Sequence, residues 1–384
     1  MNSFVLKNVT AALDGELTPA CVTVENGVIA AVTPQAENPG SLPELDGGGN
    51  MLLPGFLELH THGAAGVDVN AADEEGLRKI SRFFASQGVC GWLCSILTDT
   101  EEQTLKAIAA ARKVIEAPGD GARLLGIHLE GPCLATAYKG AMPEHLLMHQ
   151  ADAGLFARYQ EAAGGHIRYV TLSPEIPGAV EMIPALRELG IVVAMGHSGA
   201  GYDTAMAAVQ AGVTAATHLG NAERLFHQHD PAIWGVALET DCYVEAICDG
   251  LHLHPGSVRL YLKAKGVERV VAITDSIMAA GLPDGYYKLG VNDVVVEKGD
   301  AKLVENGTRA GSTLTLIRAL KNIVSWTGYP VAKAVRMMSQ TPAELMGWEN
   351  RGRIAVGMEA NLVLVDEEYH VLATFARGEQ VYKV

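Results

Sequence analysis

Residues 54–63 read Pro-Gly-Phe-Leu-Glu-Leu-His-Thr-His-Gly, an apolar run closed by an alternating pair, His60 and His62, and then a glycine. A strand projects residues i and i+2 to the same face, so both imidazoles can address one point. Imidazole nitrogen is the commonest protein ligand for a borderline divalent metal, and a glycine just after the pair lets the chain turn away and leave a site open. Alone, a His-x-His is more often a pair of hydrogen-bonded core histidines than a metal site. Its company changes the reading. Glu130 ends the run 124–130, His197 ends 191–197, His218 ends 213–218 and Asp275 ends 270–275, each at the carboxyl end of a short β-type stretch. An α/β barrel builds its site at that end of its strands, one or two groups per strand.

The spacing predicts eight such strands, near Leu53–Leu59, Val89–Leu97, Leu124–Leu129, Ile167–Leu172, Ile191–Met195, Val213–Thr217, Val244–Cys248 and Val270–Thr274. Helical periodicity falls between some of them, at Glu74–Ser86, Thr100–Ile115, Val180–Leu189 and Tyr202–Ala211. Eight parallel strands close a (β/α)8 barrel of the TIM type, an α/β fold. An open doubly wound sheet would carry a Gly-rich phosphate turn after its first strand, and none is present.

The two ends have a different texture. From Phe4 to about Val32 short alternating pieces are separated by Asp14-Gly15 and Asn26-Gly27, dipeptides suited to tight hairpins. The stretch from Gly352 to Tyr382 reads alike, and neither end has strands enough for a core of its own. The expected organisation is a small β-sandwich made by 1–52 with 348–384, and a barrel at 53–347. Turn signals and short strands near 281–309 predict a hairpin-rich loop over the barrel mouth, either a lid or a purely structural hairpin.

Composition narrows the class. The chain has 384 residues, 48% hydrophobic and 19% charged, as expected for a well-buried globular body. A formal net charge of −15 argues against a nucleic-acid surface. No apolar run approaches the ~18 residues a membrane span needs, and the N-terminus lacks a signal-peptide pattern. The six cysteines, at 21, 90, 94, 133, 242 and 248, form no Cys-x-x-Cys pair, the pattern of reduced thiols in a cytoplasmic protein.

His60, His62, Glu130, His197, His218 and Asp275 supply donors for one divalent ion or two, Zn foremost, with Fe, Mn or Co as alternatives. An ion on Glu130, His197 and His218 would leave a position for water and polarise an amide carbonyl. Asp275 is then the natural base, able to return the proton to a leaving nitrogen, although simple ligation is its other reading. His252, after the seventh strand, could donate a hydrogen bond to a carbonyl oxygen or to a substrate hydroxyl. His128 shares a strand face with Glu130 but lies a layer deeper, in the core or behind the ligands.

Taken in order, the segments 54–63, His128–Pro132, Gly196–Ser198, Thr217–Ala222, Asp249–His252, Thr274–Asp275 and Ala310–Ser312 resemble those of the N-acetylglucosamine-6-phosphate deacetylase family of the amidohydrolase superfamily. The resemblance covers nearly the whole chain. It implies hydrolysis of the N-acetyl amide of an amino sugar phosphate, a metal on Glu130, His197 and His218, and a second on His60 and His62. It further implies Asp275 as general base and acid, main-chain substrate contacts at Asn221, Ala222 and Gly311, and a homodimer whose partner helps to bind the sugar phosphate. The substrate-facing candidates are accordingly Ala141, Met142, Asn221, Ala222, His229, Asp249, His252, Arg309, Ala310 and Gly311.

The departures from that pattern fall in the substrate pocket. Met142 stands where the family has a histidine, and His229 where an arginine is expected to reach phosphate across the dimer. A neutral imidazole is a weaker, pH-dependent phosphate partner than a guanidinium. Arg309 either restores the missing positive charge or is a surface residue. A related substrate remains open: the galactosamine epimer, or an unphosphorylated N-acyl compound. A non-catalytic sugar- or metal-binding barrel would have lost ligands, and none is missing here.

Overall fold

The computed structural model describes residues 2–34 and 42–384. Eight parallel strands lie side by side in chain order: Phe56–Glu58, Val89–Leu97, Arg123–Glu130, Ile167–Leu172, Val192–Met195, Ala215–Ala216, Tyr243–Ile247 and Val270–Ile273. The first and eighth are joined beyond their ends, where His62 N donates to Ser276 O at 2.8 Å and Asp275 N to His60 O at 2.9 Å. The closing seam thus runs through three of the expected ligands. Apolar side chains fill the interior and the space under the outer helices, with Trp92, Leu93, Val193 and Ile273 fully buried.

Helices Glu74–Ser86 and Tyr202–Ala211 match their periodicity residue for residue, and Glu101–Glu116 and Ala179–Glu188 fall within one residue of theirs. Each of the first two acidic helix starts is capped: Asp73 accepts from Gly76 N, and Thr100 from Gln103 N. Helices Ala153–Ala162, Ala232–Glu239, Pro255–Lys265 and Leu316–Thr327 complete the outer ring.

The run 53–59 is not one strand. Met51–Pro54 pairs with Phe4–Leu13 and Leu362–Val365 in the terminal sheet, while Phe56–Glu58 opens the barrel. Gly55 lies between them, packed so closely that a Cβ there would sit 2.1 Å from Cys90 Sγ. A hydrophobic run tells only that both halves are buried. It cannot tell that they are buried in different sheets.

The termini do complete one another. A mixed sheet of eight strands joins the N-terminal hairpins to Leu362–Val365, Val371–Ala376 and Glu379–Lys383. The turns fall at Asp14-Gly15 and Asn26-Gly27 as expected, all four residues at positive φ. This sandwich-like unit has its own apolar core around Phe4, Leu6, Val22, Leu52, Leu362 and Phe375.

Over the barrel mouth, Gly285–Leu289, Asn292–Glu297 and Asp300–Leu303 form a three-stranded antiparallel sheet. Val294, Val296 and Leu303 pack on Leu97, Leu134, Met142 and Leu147 in a third buried cluster. The hairpin is therefore anchored by apolar burial, and the two readings of it are compatible. It is a fixed structural element, and its edge also faces the site.

Candidate metal centre and substrate cavity

Six side chains from five strand ends converge. Glu130 Oε1 lies 3.1 Å from both His197 Nε2 and His218 Nε2 and 3.4 Å from His60 Nε2. Its other oxygen is 3.1 Å from His62 Nε2. Asp275 Oδ1 is 3.2 Å from His62 Nε2 and 3.7 Å from His60 Nε2. Ligand atoms of His60, His62 and Asp275, and of His60, Glu130 and His218, fall within 4.8 Å of one another. Glu130 thus sits between two donor groups, one drawn from the first and eighth strands, the other from the fifth and sixth.

The ring tautomers decide what these groups are for. His60 Nδ1 faces the Glu245 carboxylate at 3.1 Å, His62 Nδ1 the carbonyl of Ser95 at 3.0 Å, and His197 Nδ1 the carbonyl of Tyr138 at 2.8 Å. Each partner is an acceptor, so each ring carries its proton on Nδ1 when neutral and turns an Nε2 lone pair inward. His60 Nε2 and His62 Nε2 are 3.3 Å apart, and His197 Nε2 is 3.1 Å from His218 Nε2, whose Nδ1 is buried without a hydrogen-bond partner. Lone pairs aimed at one another at such distances repel unless a cation lies among them, so the donor set fits a divalent metal.

The electrostatics agree. Burial raises the pKa of Glu130, yet the surrounding imidazoles, His60 first, hold it well below the usual carboxylate range. Asp275 is lowered likewise, against its burial, by its contact with His62. His60 and His62 are themselves raised, despite burial, by these carboxylates, His62 to about 9. The pocket is a sink for positive charge.

Backbone strain fixes three of the six. His197, His218 and Asp275 have φ of 49°, 29° and 49°, a region costing about 1–3 kcal/mol for a non-glycine residue. The positive φ turns each side chain off its strand end as the chain departs. Gly311, at φ 60°, backs Asp275: a Cβ there would meet Ile277 Cγ2 at 2.5 Å and the Asp275 carbonyl at 2.8 Å.

A cavity of about 270 Å³ opens over the cluster. His62, Glu130, His197, His218 and Asp275 form its floor, with His252, Ala141, Met142, Asn221, Ala222, Arg309, Ala310 and Gly311 around it. Leu97, Gly140, Gly220, Leu289 and Thr308 also line it. His60 lies beneath, fully buried. His128 is deeper still, bonded to Ser95 Oγ and Thr171 Oγ1 at 2.9 Å each, and burial lowers its pKa well below that of a free imidazole.

The remaining expected contacts divide. Asp249 does not line the cavity; it stands behind His252, its Oδ2 2.7 Å from His252 Nδ1, and so orients that ring. His229 lies on an exposed loop outside the cavity. Arg309 does reach the rim, yet its guanidinium is bidentate to Asp300, at 2.7 and 3.1 Å. Among the described lining residues it is the only Lys or Arg. Met142 is only 2% exposed, held in the hairpin's apolar cluster.

Three residues escaped sequence reasoning. Glu245 joins His60 Nδ1 to the hydroxyl of Tyr169 (2.7 Å) and the amide of His218 (3.2 Å), so one buried carboxylate orients groups from three strands. Its place inside the seventh strand, among apolar residues, was the signal. Glu58 bonds the amides of His60 and Thr274, and burial raises its pKa to about 8. Glu223 is bonded to Trp234 Nε1 at 2.7 Å and Ala222 N at 3.2 Å, which pins the loop carrying Asn221 and Ala222. Glu245→Gln keeps the shape but weakens the acceptor for His60. Metal affinity, measured by competition with a chelator, is expected to fall about 10–100-fold.

Barrel, clustered donors and adjacent carboxylate together define a metal-dependent hydrolase. The signature of the amidohydrolase family matches residues 51–384. N-acetylglucosamine-6-phosphate deacetylase of Lysinibacillus sphaericus is 32% identical, covering 98% of this chain and 97% of its own. N-acetylgalactosamine-6-phosphate deacetylase of Escherichia coli O157:H7 is 33% identical over 95% of this chain and 96% of its own. The Mycobacterium smegmatis N-acetyl-D-glucosamine-6-phosphate deacetylase, solved as a mutant in complex with N-acetyl-D-glucosamine-6-phosphate, superimposes with a TM-score of 0.92 at 31% identity, each chain covered completely. The chain belongs to the amidohydrolase family and, within it, to the N-acetylglucosamine-6-phosphate deacetylases. No helix among the described residues is long and apolar enough to cross a membrane.

Proposed function

We propose that the protein hydrolyses the N-acetyl amide of an amino sugar phosphate, N-acetylglucosamine-6-phosphate first, to acetate and the free amine. One observation carries the reading: Asp275 and an Asp249-held His252 face the same cavity above a complete donor set. Glu130, His197 and His218 would hold one ion, and His60 and His62, with Asp275 beside them, a second; zinc is the ion we favour, ahead of Fe, Mn or Co. A divalent ion there supplies Lewis acidity toward an amide carbonyl and activates water near neutral pH.

The chain's own groups do the rest. Asp275, an anion at neutral pH, accepts the proton of the attacking water and delivers it to the leaving nitrogen, without which the amide anion would be too poor a leaving group. Asp249 occupies His252 Nδ1, so a doubly protonated ring offers Nε2–H to the carbonyl oxygen, whereas the neutral ring accepts from a sugar hydroxyl. The amides of Asn221, Ala222 and Gly311 belong to loops on the cavity rim and would position the sugar phosphate. A cytoplasmic homodimer is part of the same proposal.

A second reading has its own support. Arg309 is already engaged by Asp300, and the relatives include an N-acetylgalactosamine-6-phosphate deacetylase. Acetate release by metal-analysed protein should be compared on N-acetylglucosamine-6-phosphate, N-acetylgalactosamine-6-phosphate and unphosphorylated N-acetylglucosamine. We expect N-acetylglucosamine-6-phosphate to give the highest kcat/KM. Preference for the epimer, or no loss on removing the phosphate, would move the assignment to the second reading.

A further inference from the structure

At the opposite end of the barrel from the metal centre, a cavity of about 260 Å³ lies against Leu57, Gly91 and Leu124, at the amino-terminal side of the first three strands. Four arginines line it: Arg123 and Arg168 from the barrel, Arg351 and Arg377 from the segments of the carboxyl-terminal region, with His166 beside them. Two carboxylates oppose the arginines, and a third, Glu116, lies 3.7 Å from His166 Nε2. Glu359 takes Arg351 at 3.0 Å and Arg377 at 3.4 Å, and Glu379 takes Arg123 at 2.6 Å. Arg168 makes no ion pair with any described residue, and Arg123 Nε is buried without a hydrogen-bond partner. Four guanidiniums against two carboxylates leave an excess of positive charge, in a chain whose formal net charge is −15.

We propose that this cavity is a second ligand site, one for a small dianion of the phosphate class. Guanidinium forks match phosphate oxygens bidentately, and the unpaired Arg168 lines the same cavity as Arg123, whose Nε is unsatisfied, so both offer donors that the described residues do not use. The volume is below the roughly 300–1,000 Å³ of clefts for drug-sized ligands, which suits inorganic phosphate or one phosphorylated monosaccharide rather than a larger polyanion. The carboxylates that hold Arg351, Arg377 and Arg123 keep the fork positions in place and cap the charge, so that the site selects a compact anion.

The test is calorimetric titration of the metal-loaded protein with inorganic phosphate and, separately, with glucose-6-phosphate, which has no amide to hydrolyse. Arg168→Ala should weaken binding about tenfold or more, and Arg168→Lys should restore part of it. Arg309→Ala, at the rim of the metal cavity, should leave this binding event unchanged, and deacetylation without added phosphate should be the same in Arg168→Ala as in the parent. Because Arg168 has no ion pair to lose, its removal is not expected to unfold the chain, and a thermal melt checks this. Tighter binding of phosphate assigns the site to the free anion; tighter binding of glucose-6-phosphate assigns it to a sugar phosphate. Binding that is equal in Arg168→Ala and parent, or lost in Arg309→Ala instead, overturns the proposal while leaving the deacetylase reading untouched.

Discussion

Asp275→Asn is expected to lower kcat by about 10²–10⁴-fold while the protein keeps an ion on Glu130, His197 and His218. The substitution preserves volume and leaves the backbone bonds that close the barrel, Asp275 N to His60 O and Ser312 N to Asp275 O, both made by the main chain. What it removes is a carboxylate held anionic by His62, the group proposed to carry a proton from water to the leaving nitrogen. If Asp275 is also a ligand beside His60 and His62, the ion content falls by one per subunit and no further. Turnover and metal content measured on the same preparation separate the roles: full activity rejects Asp275 as base, and complete loss of metal makes it chiefly a ligand.

Glu130→Ala should be still more damaging. Its two oxygens lie within 3.4 Å of four imidazole nitrogens, so it is shared by both donor groups. Without it, four inward-facing nitrogens have no counter-charge at their centre. Since losing a partner behind a ligand already costs about 10–100-fold in metal affinity, losing this shared ligand should cost at least about 100-fold, with activity at background. Elemental analysis after dialysis checks it. Retention of two ions per subunit would place the centre elsewhere.

The site was legible because its chemistry is periodic. Four of the six donor residues each close a short β-type run, and the pair at 60 and 62 closes a fifth at the strand period. The helices at 74–86 and 202–211 were legible for the same reason. Less could be read where the informative neighbour is remote in sequence. Asp249 looked like a substrate contact from its motif, but its Oδ2 is committed to His252. His229 sits in the segment where a phosphate contact was expected, but on an exposed loop away from this subunit's cavity. Arg309 could be read as a free charge only until Asp300, nine residues earlier, was brought across the hairpin to meet it.

By itself the sequence determined the strand count, the six residues that converge at the barrel mouth and the pairing of the two termini, because alternation, run length and turn residues are local properties that survive without coordinates. Only the tertiary structure decided which histidine nitrogen faces inward, since that is set by Glu245, Ser95 and Tyr138, each between 33 and 185 residues away from the ring it orients. It alone also decided where the barrel begins. Leu53 and Leu57 are equally apolar and equally buried, and the difference between them is which strand each hydrogen-bonds to, a long-range choice that hydrophobicity does not encode.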